Sequence, residues 1–284
     1  MSHDPYARTN LSRRDLLGLA ARGAAGVVVS QSVLARTPGR ARADATAAAA
    51  PSCVLTAALT EGPFFVDEKL LRSDIRSDPT TGVVSAGVPL SLTFNVSRVG
   101  ERACTPLTGA YLDVWHADSA GRYSDVEAGG FGPPPGPPPG PPPDRRGGMP
   151  PGPRTSDGNP GAGTTGRKFL RGYQVTDAHG IARFRTVYPG WYQGRAVHIH
   201  FKLRLYAGST ASYEFTSQFF FDDALTDAVH AHPPYDTRGA RDVRNADDGI
   251  YTGLGAAERR ALTLQTARAG VGYAGVIDLG VRAG

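Results

Sequence analysis

The sequence predicts an all-β protein, a β-sandwich core with long loops and one or two short helices. Three observations carry this reading. Apolar and polar residues alternate with period two in run after run. Glycine (36) and proline (23) are abundant among the 284 residues, which favours many turns over a helical bundle. Only two stretches have helical spacing. With 40% hydrophobic residues the chain is long enough and apolar enough to bury a proper core.

Taken in order, folded sequence is expected from Cys53. In VPLSLTFNV (88–96), Val88, Leu90, Leu92, Phe94 and Val96 fall on one face with polar residues between them. AYLDVWHA (110–117) alternates more weakly. FLRGYQVT (169–176), IARFRTVY (181–188), AVHIHFKLRLY (196–206), SYEFTSQFFF (212–221) and VGYAGVIDL (271–279) complete the predicted strands. TDAHG (176–180) reads as a hairpin-type turn between two of them. The helical candidates are DDALTDAVHAH (222–232), which ends before Pro233-Pro234, and GAAERRALTLQTA (255–267).

Two regions stand outside this pattern. Residues 1–43 hold seven arginines against Asp4 and Asp15, so the whole formal charge of +5 lies there and the remainder balances at 24 of each sign. That placement argues against nucleic-acid binding. Arg13-Arg14 precede a short Ala/Gly-rich apolar run, and Ala41-Arg42-Ala43 places small residues before Asp44. The pattern resembles a twin-arginine export signal over residues 1–43, followed by an Ala-rich tether at 44–52. It implies passage through the twin-arginine translocation machinery to a periplasmic or extracellular location. No stable membrane insertion is expected, because no run approaches the ~20 apolar residues a spanning helix needs. The second region is the Pro/Gly-rich insertion at 126–166. It repeats Gly-Pro-Pro-Pro with period four, so collagen is excluded and polyproline II or an irregular loop is expected. Residues 53–284 then form a single domain interrupted by this insertion.

Cys53 and Cys104 are the only cysteines. In an exported chain they permit a disulfide closing a loop of about fifty residues, a constraint of ~3–4 kcal/mol. Two buried thiols are the equal alternative, and a thiolate metal site is disfavoured.

The chemistry concentrates in GWYQGRAVHIHFK (190–202). His198 and His200 share one strand face with Lys202, Arg204 and Tyr206, their Cβ atoms roughly 7 Å apart, so both imidazoles can reach one ion. A lone HxH is more often a solvated polar strand face. Here, however, Tyr192 precedes it on a tight PGWYQG connection, and Tyr123 lies on the turn WHADSAGRYSD (115–125). Phenolate is a hard anionic donor, so two tyrosines with two histidines suit Fe(III) better than Zn(II) or Cu(I). Two phenolates and a hydroxide would neutralise the ion's charge and make burial tolerable.

These residues resemble the intradiol ring-cleavage dioxygenases, the catechol and protocatechuate dioxygenases. The matching stretches are TEGPFFVDEKLLRSDI (60–75), PLTGAYLDVWHADSAGRYSD (106–125), FLRGYQVTDAHG (169–180), TVYPGWYQGRAVHIHFK (186–202), TSQFFF (216–221) and HPPYDTRGARDVRNADDGIY (232–251). They run in order through most of the chain after the leader. The resemblance implies a non-haem Fe(III) cofactor held by Tyr123, Tyr192, His198 and His200. It implies Arg195 and Gln218 as catalytic residues stabilising charge on the substrate, with Tyr192 or Tyr123 leaving the iron to accept a substrate proton. Gly62, Pro63 and Phe64 fall where the family lines its substrate cavity. The implied partners are a small aromatic diol and O₂, and the implied product is a muconate-type diacid formed by cleavage between the two hydroxyl-bearing carbons. The link from Tyr192 to Arg195 is short, and no N-terminal helical dimerisation segment is read, so the particular catechol and the oligomeric state stay open. The alternatives are a non-catalytic exported metal- or ligand-binding β-sandwich, and a zinc hydrolase recruiting His116 or His179 as third histidine.

Overall fold

The strand that organises the molecule is β1, Pro89–Val99, whose alternation buries Leu90, Leu92, Phe94 and Val96. The computed structural model describes residues 54–101, 103–126 and 163–283, all within one compact unit, Ala49–Gly284. The predicted leader, the tether, Cys53 and nearly all of the insertion lie outside the described residues.

Along one edge of β1 runs β9, Gly272–Val281, in parallel. On its other edge β1 pairs antiparallel first with β5, Ile181–Val187, then with the short β2, Cys104–Pro106. With β8, Gln265–Ala269, antiparallel to β9, this makes a five-stranded sheet. The second sheet is antiparallel and four-stranded, in the order β4 (Arg171–Val175), β3 (Tyr111–Trp115), β6 (His198–Ala207), β7 (Thr210–Phe220).

The two sheets close over a shared core. Ile199, Phe201 and Leu203 of β6 join Leu112, Val114 and Phe219 from one sheet with Leu90, Leu92, Phe94, Phe184, Ile277 and Leu279 from the other. Phe94 meets Phe184, Phe201 and Phe219 at centroid distances of 5.8, 5.9 and 6.1 Å. Each such side chain removed from water contributes roughly 1.5–3 kcal/mol. The all-β sandwich expected from the alternation is the fold observed.

Two expectations need correction, and one short helix was not expected. TDAHG does not close a hairpin: β4 belongs to one sheet and β5 to the other, so the turn is a corner between layers. Its sharpness comes from Asp177, whose carboxylate accepts from the His179 and Ile181 amides, and from Gly180 at φ 72°. The helix expected over 255–267 stops early. It is α3, Ala256–Leu262, and the chain then pairs with the open edge of β9 as β8, where ladder bonds outweigh weak helical spacing. The four-residue helix α2, Gly249–Thr252, had no apolar period to announce it and rests on its cap, Asp248, which accepts from the Ile250 and Tyr251 amides. The first predicted helix is present as α1, Asp223–His230, capped by the Asp222 carboxylate. No described helix is long and apolar enough to cross a membrane. Cys104 is disulfide-bonded.

Candidate metal centre

Sequence alternation places His198 and His200 on the face of β6 that points away from the core, yet that face is covered. His198, His200 and Arg204 are all buried. The cover is the segment 60–71, held by ion pairs to the same strand face: Glu61 to Lys202 at 2.6 Å and Asp67 to Arg204 at 2.8 Å. Arg204 also binds Asp113 at 2.7 Å. Gly62, at φ 69°, lies directly against His200: a Cβ there would stand 3.4 Å from the imidazole Cε1.

Register supplies the neighbours of His200. In the ladders it stands opposite Trp115 on β3 and Gln218 on β7. Trp115 stacks parallel on its ring, at 5.0 Å and 7°. His198 is oriented differently. Its Nδ1 donates to the Ala196 carbonyl at 2.6 Å, which fixes the tautomer and leaves the Nε2 lone pair facing inward.

The tyrosines arrive on two loops that touch backbone to backbone. Asp118 shapes the first: its carboxylate accepts from the Ala120 and Arg122 amides and pairs with the Arg122 guanidinium at 2.8 Å. Its carbonyl accepts from the Gly190 amide of the second loop. Only glycine fits at the contact. A Cβ on Gly190 would meet the Asp118 and Ser119 carbonyl oxygens at 2.5 Å, and one on Gly121, at φ 75°, would meet the Trp191 carbonyl at 2.1 Å. This pairing brings Tyr123 and Tyr192 together over the histidines.

Four donor atoms therefore converge. The His198 and His200 Nε2 atoms are 3.0 Å apart, and the Tyr192 and Tyr123 hydroxyls stand 3.3 and 3.4 Å from His198 Nε2. All four residues are buried. Burial pulls both histidines well below their usual pKa, so they are neutral. It also raises both phenols: Tyr192 to about 12, against the pull of Arg195, and Tyr123 well above its ordinary value, helped by the neighbouring Tyr192. Neutral imidazoles and phenols that ionise only beside a strong positive charge make a set suited to a hard, highly charged cation.

The remaining residues are placed as follows. Arg195 donates to Asp248 at 2.8 Å and to the Gln218 side-chain oxygen at 2.6 Å, linking the centre's edge to the cap of α2. Phe64 is buried and stacks on Tyr123 at 4.3 Å and 20°, with its edge toward Tyr192. Pro63, expected beside it in the cavity wall, is exposed. Among the described residues the zinc alternative finds no third histidine. His116 donates from Nδ1 to its neighbour's carbonyl and accepts at Nε2 from Thr186, while His179 is exposed. Among the described residues no cluster of three His, Cys, Asp or Glu side chains is disposed to hold a metal. Sequence reasoning missed Asp248 and Trp115. The first was visible only as one aspartate in an acid-rich loop, and the second as one more residue in an alternating strand.

The chain is similar to solved structures of dioxygenases. An intradiol ring-cleavage dioxygenase from Tetranychus urticae superposes with a TM-score of 0.60 at 26% identity, over 81% of this chain and 96% of that one. The dioxygenase domain of a dioxygenase–carbohydrate-binding fusion from Streptomyces sp. SirexAA-E gives a TM-score of 0.50, also at 26% identity, over 81% of this chain and all of its own length. No family model and no curated protein matches the chain.

Proposed function

We propose that the chain is an exported non-haem Fe(III) dioxygenase that opens a catechol-type ring between its two hydroxyl-bearing carbons, using both atoms of O₂ and yielding a muconate-type diacid. The observation that carries this is the buried convergence of two neutral imidazoles and two phenols, with no carboxylate in the set. The likeness to intradiol dioxygenases supports the same reading.

Tyr123, Tyr192, His198 and His200 would hold the iron. Bound there, Fe(III) would supply Lewis acidity toward a catechol's hydroxyls and a redox-active centre that makes its ring reactive toward O₂. The protein's own groups do the rest. Tyr192 or Tyr123, whose burial favours the protonated phenol, would serve as the acceptor of a substrate proton. Arg195, held in place by Asp248 and Gln218, carries the fixed positive charge for oxyanion character on the substrate. Phe64 and Trp115 keep water from the ligand rings by stacking on Tyr123 and His200.

The test is a visible spectrum of iron-loaded protein before and after adding catechol without oxygen. A red-brown tyrosinate-to-iron band that moves to longer wavelength with catechol is expected, followed on aeration by uptake of one O₂ per diacid formed. A loaded protein that shows no such band sinks the iron reading. A band without turnover leaves a metal-binding sandwich. Export is tested separately, by N-terminal sequencing of protein recovered outside the cytoplasm, which should begin at Asp44.

A further inference from the structure

Arg171 opens β4 and is 3% exposed. All its hydrogen bonds among the described residues go to neutral oxygens. Nε donates to the Ser124 hydroxyl at 2.7 Å, Nη2 to the Ser124 carbonyl and, at 3.4 Å, to that of Phe64, and Nη1 to the Val66 carbonyl at 3.4 Å. Arg204, Arg195 and Arg241 each have a carboxylate in contact: Asp67 and Asp113, Asp248, and Asp223 with Asp227, respectively. Among the described residues the half-buried Arg72 donates only to carbonyls, and Arg171, more deeply buried, likewise has only neutral oxygens. The acids that act on Arg171 through space do not touch it: Glu68 pairs through Oε2 with Lys168 at 2.5 Å and Asp125 accepts from the Gly166 amide. A guanidinium withdrawn from water without an anion in contact is expensive, and burial draws its pKa down to about 10.

The bonds show where that charge is directed. Ser124 follows Tyr123 in the chain, and Phe64 is the ring stacked on Tyr123. One guanidinium thus clamps the turn that carries this phenol and the segment that covers it. Its charge acts on the Tyr123 oxygen as well. Arg195 acts on both phenols, and on Tyr123 more strongly than Arg171 does, so the part particular to Arg171 is the clamp.

We propose that Arg171 is a positioning residue for the Tyr123 ligand: it fixes the ligand turn beneath Phe64, and its positive charge balances the phenolate that Tyr123 presents to the metal. This rests on the iron reading above.

The test compares wild type with Arg171→Lys and Arg171→Met in three readouts: melting and circular dichroism of the metal-free proteins, iron affinity by chelator competition, and the position of the visible band after loading. Arg171→Met should keep the wild-type circular dichroism while losing about 10- to 100-fold in iron affinity, the usual cost of removing support from a metal ligand, with a displaced band. Arg171→Lys keeps the charge and should recover the band position and part of the affinity. If Arg171→Met does not fold, Arg171→Gln takes its place with the same expectation. A folded neutral variant with wild-type affinity and band overturns the assignment, and so does a lysine variant no better than the neutral one. A wild-type protein that shows no band sinks the iron reading and this inference together. A wild-type band with an unaffected neutral variant removes only the role of Arg171.

Discussion

The two halves of the candidate centre are built by different means. His198 and His200 stand on a strand, where register alone fixes their neighbours: Phe220 for His198, Trp115 and Gln218 for His200. Tyr123 and Tyr192 stand on two loops that hold each other through glycine contacts and the Asp118 carbonyl, the first of them braced by the Asp118 carboxylate and a buried arginine. A ladder averages over many backbone bonds and tolerates the loss of a side chain. A loop pair concentrates its precision in a few close contacts, so one added methyl group can undo it.

That contrast is open to attack from both sides. The largest effect is expected for Gly190→Val. Its branched side chain cannot fit against the Asp118 and Ser119 carbonyls, so both tyrosine loops should part. The melting temperature should fall sharply and the tyrosinate band should vanish. His200→Ala should also abolish iron binding and activity while leaving the metal-free melting temperature near that of wild type. A collapse of the fold in this variant would show that the histidine strand is as fragile as the loops. Next in size is Asp248→Ala. Arg195 loses its anchor and α2 loses its cap, so kcat/KM should drop about 10- to 100-fold while stability falls by ~1 kcal/mol. Asp248→Asn, which can still cap, should recover the stability and not the rate. Phe64→Leu should cost about 1 kcal/mol, the worth of an aromatic stack, and broaden the visible band as Tyr123 loosens.

The smallest effect is one of pH. Burial lowers the His116 pKa to about 4 from an ordinary 6.5, so the unfolded chain takes up its proton first on acidification. His116 therefore contributes stability that is present above pH 6.5 and is lost as pH falls toward 4. Asp113 is pushed up to about 6, again by burial, and works in the opposite direction between its ordinary 3.8 and that value. The readout is accordingly the difference between His116→Gln and wild type in melting temperature against pH. It should shrink as pH falls from 6.5 to 4, and a constant difference would refute it.

Much of this was legible in the sequence, for reasons that differ from residue to residue. Leu90, Leu92, Phe94 and Val96 mark β1 because one sheet face is dry and the other is not. Period two also put the histidine pair on one face. What alternation cannot express is that this polar face is itself roofed by residues 60–71, through pairs such as Glu61 with Lys202 that join distant parts of the chain. TDAHG misled because a tight turn has the same composition whether it returns within a sheet or crosses to another. β8 was hidden because its partner edge on β9 exists only after folding. Asp248 and Arg171 were missed since a charge buried against one particular oxygen leaves no periodic trace.

The neck of the proline-rich insertion has a consequence for engineering. The Asp125 amide donates to the Thr164 carbonyl at 3.0 Å, the Gly166 amide returns to the Asp125 carboxylate at 2.6 Å, and the Thr164 hydroxyl reaches the Val126 carbonyl at 3.4 Å. Chain enters and leaves through one knot of bonds, a few residues from Tyr123. These bonds hold the two ends together whatever is strung between them, and doubling the length of a loop closed in this way costs only ~0.6 kcal/mol. The neck is therefore a natural splice point: with its bonds kept, exchange of residues 127–162 for a short linker, a tag or a whole guest domain should leave the melting temperature near that of wild type.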